Sequence, residues 1–85
     1  MSDLIRVAIY EDNAGLREIL ASIIRDSDEF ELSGEFAHCL DVVRNTKAFS
    51  PDVIIMDIDM PGRSGIDGVK DLKAVYPEVE VIMNT

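Results

Sequence analysis

The chain has 85 residues, with 8 basic against 17 acidic side chains, a formal charge of −9, 47% hydrophobic residues and 29% charged ones. These proportions are those of one soluble globular domain and exclude a disordered tail, a collagen-like repeat and a coiled coil; at this length only about 63% of the unfolded surface is buried on folding, so the core is small. The negative excess, with no basic cluster to offset it, argues against direct contact with nucleic acid or an anionic membrane.

No apolar run reaches membrane-spanning length, and Asp3, Arg6 and Glu11 interrupt the N-terminus before a signal-peptide core could form. Cys39 is the single cysteine, without a partner for a disulfide or a metal knuckle, and is read as a packing residue of a cytoplasmic protein.

Ile5 to Tyr10 is apolar, β-branched and stopped by acids, which predicts a strand buried on both faces of a parallel sheet. From Ala14 the period changes: Leu16, Ile19, Leu20, Ile23 and Ile24 form one helical stripe, with Asp12 or Asn13 as cap and an end near Arg25. Phe30 to Phe36 alternates at period two and predicts an edge strand. Cys39, Val42 and Val43, with Leu40 beside them, give a shorter helical stripe closed by Ser50-Pro51. Val53 to Met56, ending in Asp57, predicts a second doubly buried strand. Pro61-Gly62 and Gly65 mark a turn, Ile66, Val69, Leu72 and Val75 a third helix stopped by Pro77, and Val79 to Met83 a fourth strand. The pattern is βαβαβαβ with short connections, and right-handed crossovers make it an open parallel α/β sheet.

Ligands of such sheets sit outside the carboxyl ends of the strands, where strand order reverses. Glu11 and Asp12 end the first strand and Asp57 the third; in the doubly wound order 2-1-3-4 these strands are neighbours and the three carboxylates converge. Two like charges about 4 Å apart repel by about 4 kcal/mol at an effective dielectric near 20. Either protonation or a hard divalent cation offsets that cost, and oxygen-only ligands open to solvent favour Mg²⁺, with Mn²⁺ as the alternative. A plainer reading makes Glu11 and Asp12 caps of the first helix and Asp57 a turn residue.

Glu11-Asp12-Asn13 after a buried strand, Asp57 closing Asp52-Val53-Ile54-Ile55-Met56, the run Met60-Pro61-Gly62 with Gly65, and Thr85 after an apolar strand together resemble the receiver domain of bacterial two-component response regulators. The resemblance implies a flavodoxin-like fold. It implies that Asp57 accepts a phosphoryl group from a histidine kinase or phosphotransfer protein, that Asp12 binds Mg²⁺ directly, Glu11 largely through water and the backbone carbonyl of Asp59 as a further ligand, and that Thr85 is the switch hydroxyl. The partners it implies are that kinase and an output domain of a longer parent protein.

The family pattern continues through a further helix, strand and helix, and its fifth strand carries a lysine that pairs with the phosphoryl group. Residues 1–85 would then be the N-terminal two-thirds of a receiver domain, modified less readily than a whole one. Lys47, Lys70 and Lys73 are read as solvated charges, and a bare fourth strand predicts self-association through Val79, Val81, Ile82 and Met83. Two other readings remain: Asp57-Ile58-Asp59 matches the D-x-D core of haloacid-dehalogenase-like aspartyl phosphatases, with Asp57 as nucleophile and Asp59 as acid, and an assembly fragment would have no chemistry. Tyr10, His38, Met56, Met60 and Met83 are read as packing or surface residues.

Overall fold

The computed structural model describes residues 4–84. The elements run β1 (Ile5–Tyr10), α1 (Ala14–Arg25), β2 (Phe30–Phe36), α2 (Val42–Phe49), β3 (Val53–Asp57), α3 (Gly65–Val75) and β4 (Glu80–Asn84). All strand pairs are parallel and the order is β2-β1-β3-β4, as the pattern of elements predicts. No helix among the described residues is long and apolar enough to cross a membrane.

Alternation along β1 sends Ala8 and Tyr10 to one face and Val7 and Ile9 to the other, and all four are buried. The first face joins Ile54 and Met56 of β3 with Val42 of α2, Leu72 of α3, Cys39, Met60 and Val79 in the main core. Tyr10 stacks on Phe36 with ring centroids 4.8 Å apart, and Phe36 meets Phe49 edge-on at 5.6 Å. Packing readings of Tyr10, Cys39, Met56 and Met60 agree with this core, whereas Met83 is exposed.

Helix α1 begins where the Asn13 side chain accepts the Leu16 N–H at 3.0 Å, so Asn13 and not Asp12 is the cap. Its sheet-facing stripe differs from the expected one. Arg17, Leu20, Ala21 and Ile24 are at least half-buried, while Leu16, Ile19 and Ile23 are exposed, the last two at 59% and 61%. Both stripes have helical spacing, and an arginine whose aliphatic stem is covered can stand where an apolar residue is expected.

Strand β2 lies at the edge, but its seven residues are all half-buried instead of alternating. Leu32 pairs with Val7 and Gly34 with Ala8, so Ser33 is an extra residue in the ladder, and this irregularity breaks the period-two pattern. Helix α2 starts three residues later than the stripe suggests: Cys39 and Leu40 lie in the preceding turn, where the Cys39 carbonyl accepts the Val42 N–H. It ends at Ser50 in the left-handed region (φ 48°). The Arg6 guanidinium donates to the carbonyls of Phe49 (2.7 Å) and Ser50 (3.2 Å), placing a cation on the negative end of that helix.

Ser64 caps α3 by accepting the Asp67 N–H. Lys73 is not simply solvated, because its ammonium donates to the carbonyls of Pro77 and Val79 in the turn before β4. Val79 is buried in that turn, and the strand itself starts at Glu80.

Candidate functional site

Strands β1 and β3 pair with Tyr10 opposite Met56, so the next residue of each, Glu11 and Asp57, emerges at the same carboxyl edge of the sheet. Asp12 follows at once in the turn toward α1. One carboxylate oxygen from each of Glu11, Asp12 and Asp57 lies within 4.8 Å of the others; Glu11 and Asp57 are buried and Asp12 is exposed. The convergence expected from strand ends and strand order is therefore present.

Backbone bonds hold each side of this cluster. The Glu11 N–H donates to the Phe36 carbonyl at 3.0 Å, and its side chain accepts the Asn13 N–H at 3.1 Å. Asp57 accepts the Asp59 N–H at 3.3 Å on Oδ1. The Ile58 N–H donates to the Asn84 carbonyl, and the Gly65 N–H to the Ile58 carbonyl at 2.8 Å, so the loop after β3 is tied to both β4 and α3. Gly65 touches that backbone closely: a Cβ there would fall on the Asp57 carbonyl oxygen. Farther along, Arg63 grips Asp71 with two bonds of 2.6 and 2.8 Å, which raises the arginine and lowers the aspartate.

Burial pushes the Glu11 carboxyl above its ordinary range; the Asn13 N–H opposes this, and the neighbouring carboxyls of Asp12 and Asp57 add to it. A buried carboxyl raised by two acidic neighbours requires a proton or a cation. The donors are oxygens only, one of them on the exposed side, which fits a hard divalent cation that keeps part of its water shell. Glu11, Asp12 and Asp57 could hold such an ion. The Asp59 carboxylate is exposed and not part of the cluster, and Thr85 lies outside the described residues. Asn84, its neighbour in sequence, pairs with Asp57 in register.

Burial raises the Cys39 thiol, which donates to the Arg63 carbonyl at 3.1 Å, as suits a packing residue. Burial likewise pushes Tyr10 up to about 12, against the opposing bond to Asn45 and with help from Cys39 and Asp41. His38 is half-buried, and its Nδ1 accepts the Leu40 N–H. Sequence reasoning missed Arg17, whose guanidinium donates to the Glu11 carbonyl. Its place one helical turn beyond the cap residue Asn13 was the available signal.

The chain matches the response regulator receiver domain over residues 7–85 and belongs to that family. It is 35% identical over 83 residues to the transcriptional regulatory protein YxjL of Bacillus subtilis (strain 168), covering 98% of this chain and 38% of that protein. It is also 35% identical over 78 residues to the chemotaxis protein CheY of Thermotoga maritima, covering 92% of this chain and 64% of that one. The crystal structure of the response regulator domain of Thermotoga maritima CheB superposes with a TM-score of 0.88 at 35% identity, over 94% of this chain and 59% of that one. The chain thus spans less than two thirds of the length of each.

Proposed function

We propose that this chain is the phosphoacceptor part of a response regulator, and that Asp57 takes a phosphoryl group from a histidine kinase or phosphotransfer protein. The observation that carries the reading is the approach of Glu11, Asp12 and Asp57 to within 4.8 Å at the carboxyl edge of the sheet. An Asp57 carboxylate oxygen attacks phosphorus, the bond from phosphorus to the donor's imidazole nitrogen breaks, and an acyl phosphate forms on Asp57. A bound Mg²⁺ (or Mn²⁺) supplies neutralising charge at the transferred group. Asp12 and Asp57 would hold that ion, Glu11 mainly through water, with the Asp59 carbonyl as a further ligand.

Asp57 keeps its orientation through the Asp59 N–H, and Gly65 lets α3 start directly against the carbonyl of Asp57. Thr85 is the switch hydroxyl in this reading, and the modified domain acts on an output domain in the cytoplasm. The phosphatase alternative is not favoured, because the Asp59 carboxyl it needs as an acid stands outside the cluster. Ile82 is exposed on β4, an edge of the described sheet, which supports association of two copies along that strand. Sedimentation equilibrium at tens of micromolar checks that: a monomer mass refutes it.

Incubating the chain with acetyl phosphate and Mg²⁺ and measuring intact mass tests the main reading. One added phosphoryl group, mapped to Asp57, lost in Asp57→Ala and prevented by a chelator, is the expected result. Modification at another residue, or none in the presence of the metal, overturns it.

A further inference from the structure

Arg17 stands in the sheet-facing stripe of α1 with only 22% of its side chain exposed. Its Nη1 donates to the Glu11 carbonyl at 2.8 Å. From the other side, Nε lies 3.7 Å from Oε1 of Glu35 on β2, and Glu35 in turn pairs with Arg25 at 2.9 Å. Among the described residues no ion pair joins Arg17 to Glu11, Asp12 or Asp57. The guanidinium therefore does not neutralise the cluster directly. It grips the peptide behind it.

That peptide is the one joining Glu11 to Asp12. A peptide unit is a rigid plane, so an anchored Glu11 carbonyl limits both ψ of Glu11 and φ of Asp12, and with them the directions of the two side chains. The Glu11 N–H is already held by Phe36 and its carboxylate by Asn13. Arg17 supplies the remaining restraint on the Glu11 backbone, and a donor to a carbonyl in this place acts on metal ligands as an outer-shell partner does.

We propose that Arg17 is a positioning residue for cation binding: it locks the plane between Glu11 and Asp12 so that both carboxylates aim at Asp57, with Glu35 bracing the guanidinium from the edge strand. The inference rests on the cation-dependent reading of the site above. Its electrostatic rival, a long-range effect of the Arg17 charge, has the opposite sign: removing a cation from beside the cluster would strengthen Mg²⁺ binding, most at low ionic strength.

The test compares the chain with Arg17→Met, Arg17→Lys and Glu35→Gln. Mg²⁺ titration followed by NMR is expected to show about tenfold weaker binding in Arg17→Met, at low and high ionic strength alike. Partial recovery is expected in Arg17→Lys, which keeps one donor, and a smaller loss in Glu35→Gln, which keeps the bond to Glu11. Urea unfolding in a chelator measures fold stability separately, so a stability loss with unchanged Mg²⁺ affinity overturns the proposal. A gain of affinity in Arg17→Met at low salt that fades at high salt also overturns it.

A second readout needs no metal. Losing a hydrogen bond to a carbonyl moves its carbon resonance upfield, so the Glu11 carbonyl carbon of the metal-free chain should move upfield in Arg17→Met and stay near its place in Glu35→Gln. An unmoved Glu11 carbonyl refutes the lock. If the unsubstituted chain binds no cation although the Glu11 carbonyl shifts as expected, the cation-dependent reading and the role of Arg17 in cation binding both fall, and only the peptide restraint stands.

Discussion

Replacing Gly65 with Ala should damage the fold and the acid cluster together. Gly65 is buried at the first position of α3, its N–H donates to the Ile58 carbonyl at 2.8 Å, and an added Cβ would meet the Asp57 carbonyl oxygen, the Asp57 carbonyl carbon at 2.9 Å and the Ile58 Cα at 3.0 Å. Every one of these atoms is backbone, so no rotamer change relieves the overlap; either α3 moves out or the end of β3 moves back. Overpacking of this kind costs about 1–3 kcal/mol, and a weakened Gly65 bond about 1 kcal/mol more. Against this stands the helix preference for Ala over Gly, at most about 1 kcal/mol.

The net expectation is a loss of about 1–3 kcal/mol. In a small domain with a urea slope near 1 kcal/mol per M, that is a midpoint lowered by about 1–3 M. Circular dichroism during urea unfolding in a chelator measures it, and Mg²⁺ titration of the same variant should show weaker binding because the Asp57 carbonyl has moved. Gly15→Ala is the control: its nearest foreign atom is Asn13 Oδ1 at 3.4 Å, an ordinary contact, so a gain of up to about 1 kcal/mol is expected. A Gly65→Ala chain that unfolds at the unsubstituted midpoint and binds metal equally well would refute the close-approach reasoning.

The raised Glu11 carboxyl gives the metal-free chain a particular pH response. The folded form holds this proton more tightly than the unfolded one, so the Glu11 contribution is fully present below the unfolded value near 4.5 and is lost as pH rises through the folded value. Unfolding curves across that window should show this loss, and Glu11→Gln or saturating Mg²⁺ should flatten it; an identical profile in Glu11→Gln contradicts the assignment. Arg6→Ala should cost about 1–3 kcal/mol in urea unfolding, since it removes charge-assisted bonds to the Phe49 and Ser50 carbonyls and to Glu31. Arg6→Lys should recover only part, because an ammonium cannot reach three acceptors in the plane of a guanidinium, and full recovery would argue that charge alone matters.

The strands and helices whose identity depends on burial alone were readable from the sequence. Strand β1 is a continuous apolar run because both of its faces are covered from Val7 on, whereas β3, also expected to be doubly buried, buries Ile54 and Met56 on one face and leaves Val53 and Ile55 half-buried on the other. In both, the apolar run stops where the acids begin. The acids of the site were readable for the same reason, since strand ends and strand order bring Glu11, Asp12 and Asp57 together without any tertiary detail. What escaped depends on directions of hydrogen bonds and on small shifts of register. The stripe of α1 could not be told from its neighbour because Leu16, Ile19 and Ile23 look as apolar as a core, and Arg17 does not. The late start of α2 follows from Cys39 turning into the core before the helix begins, and nothing in its apolar spacing separates a turn from a helix. The irregular pairing at Ser33 has no residue signature, and the role of Gly65 is visible only beside the carbonyl of Asp57.

The extra residue at Ser33 bears on how copies of this chain can add to one another. A strand that joins an edge needs an even ladder, and the β2 edge is uneven in its middle and carries Glu31 and Glu35 already engaged by arginines. The β2 side therefore offers an incoming strand no continuous run of free backbone donors and acceptors, and its two glutamates stay tied down by arginines, so this flank of the sheet resists edge-to-edge addition of another chain.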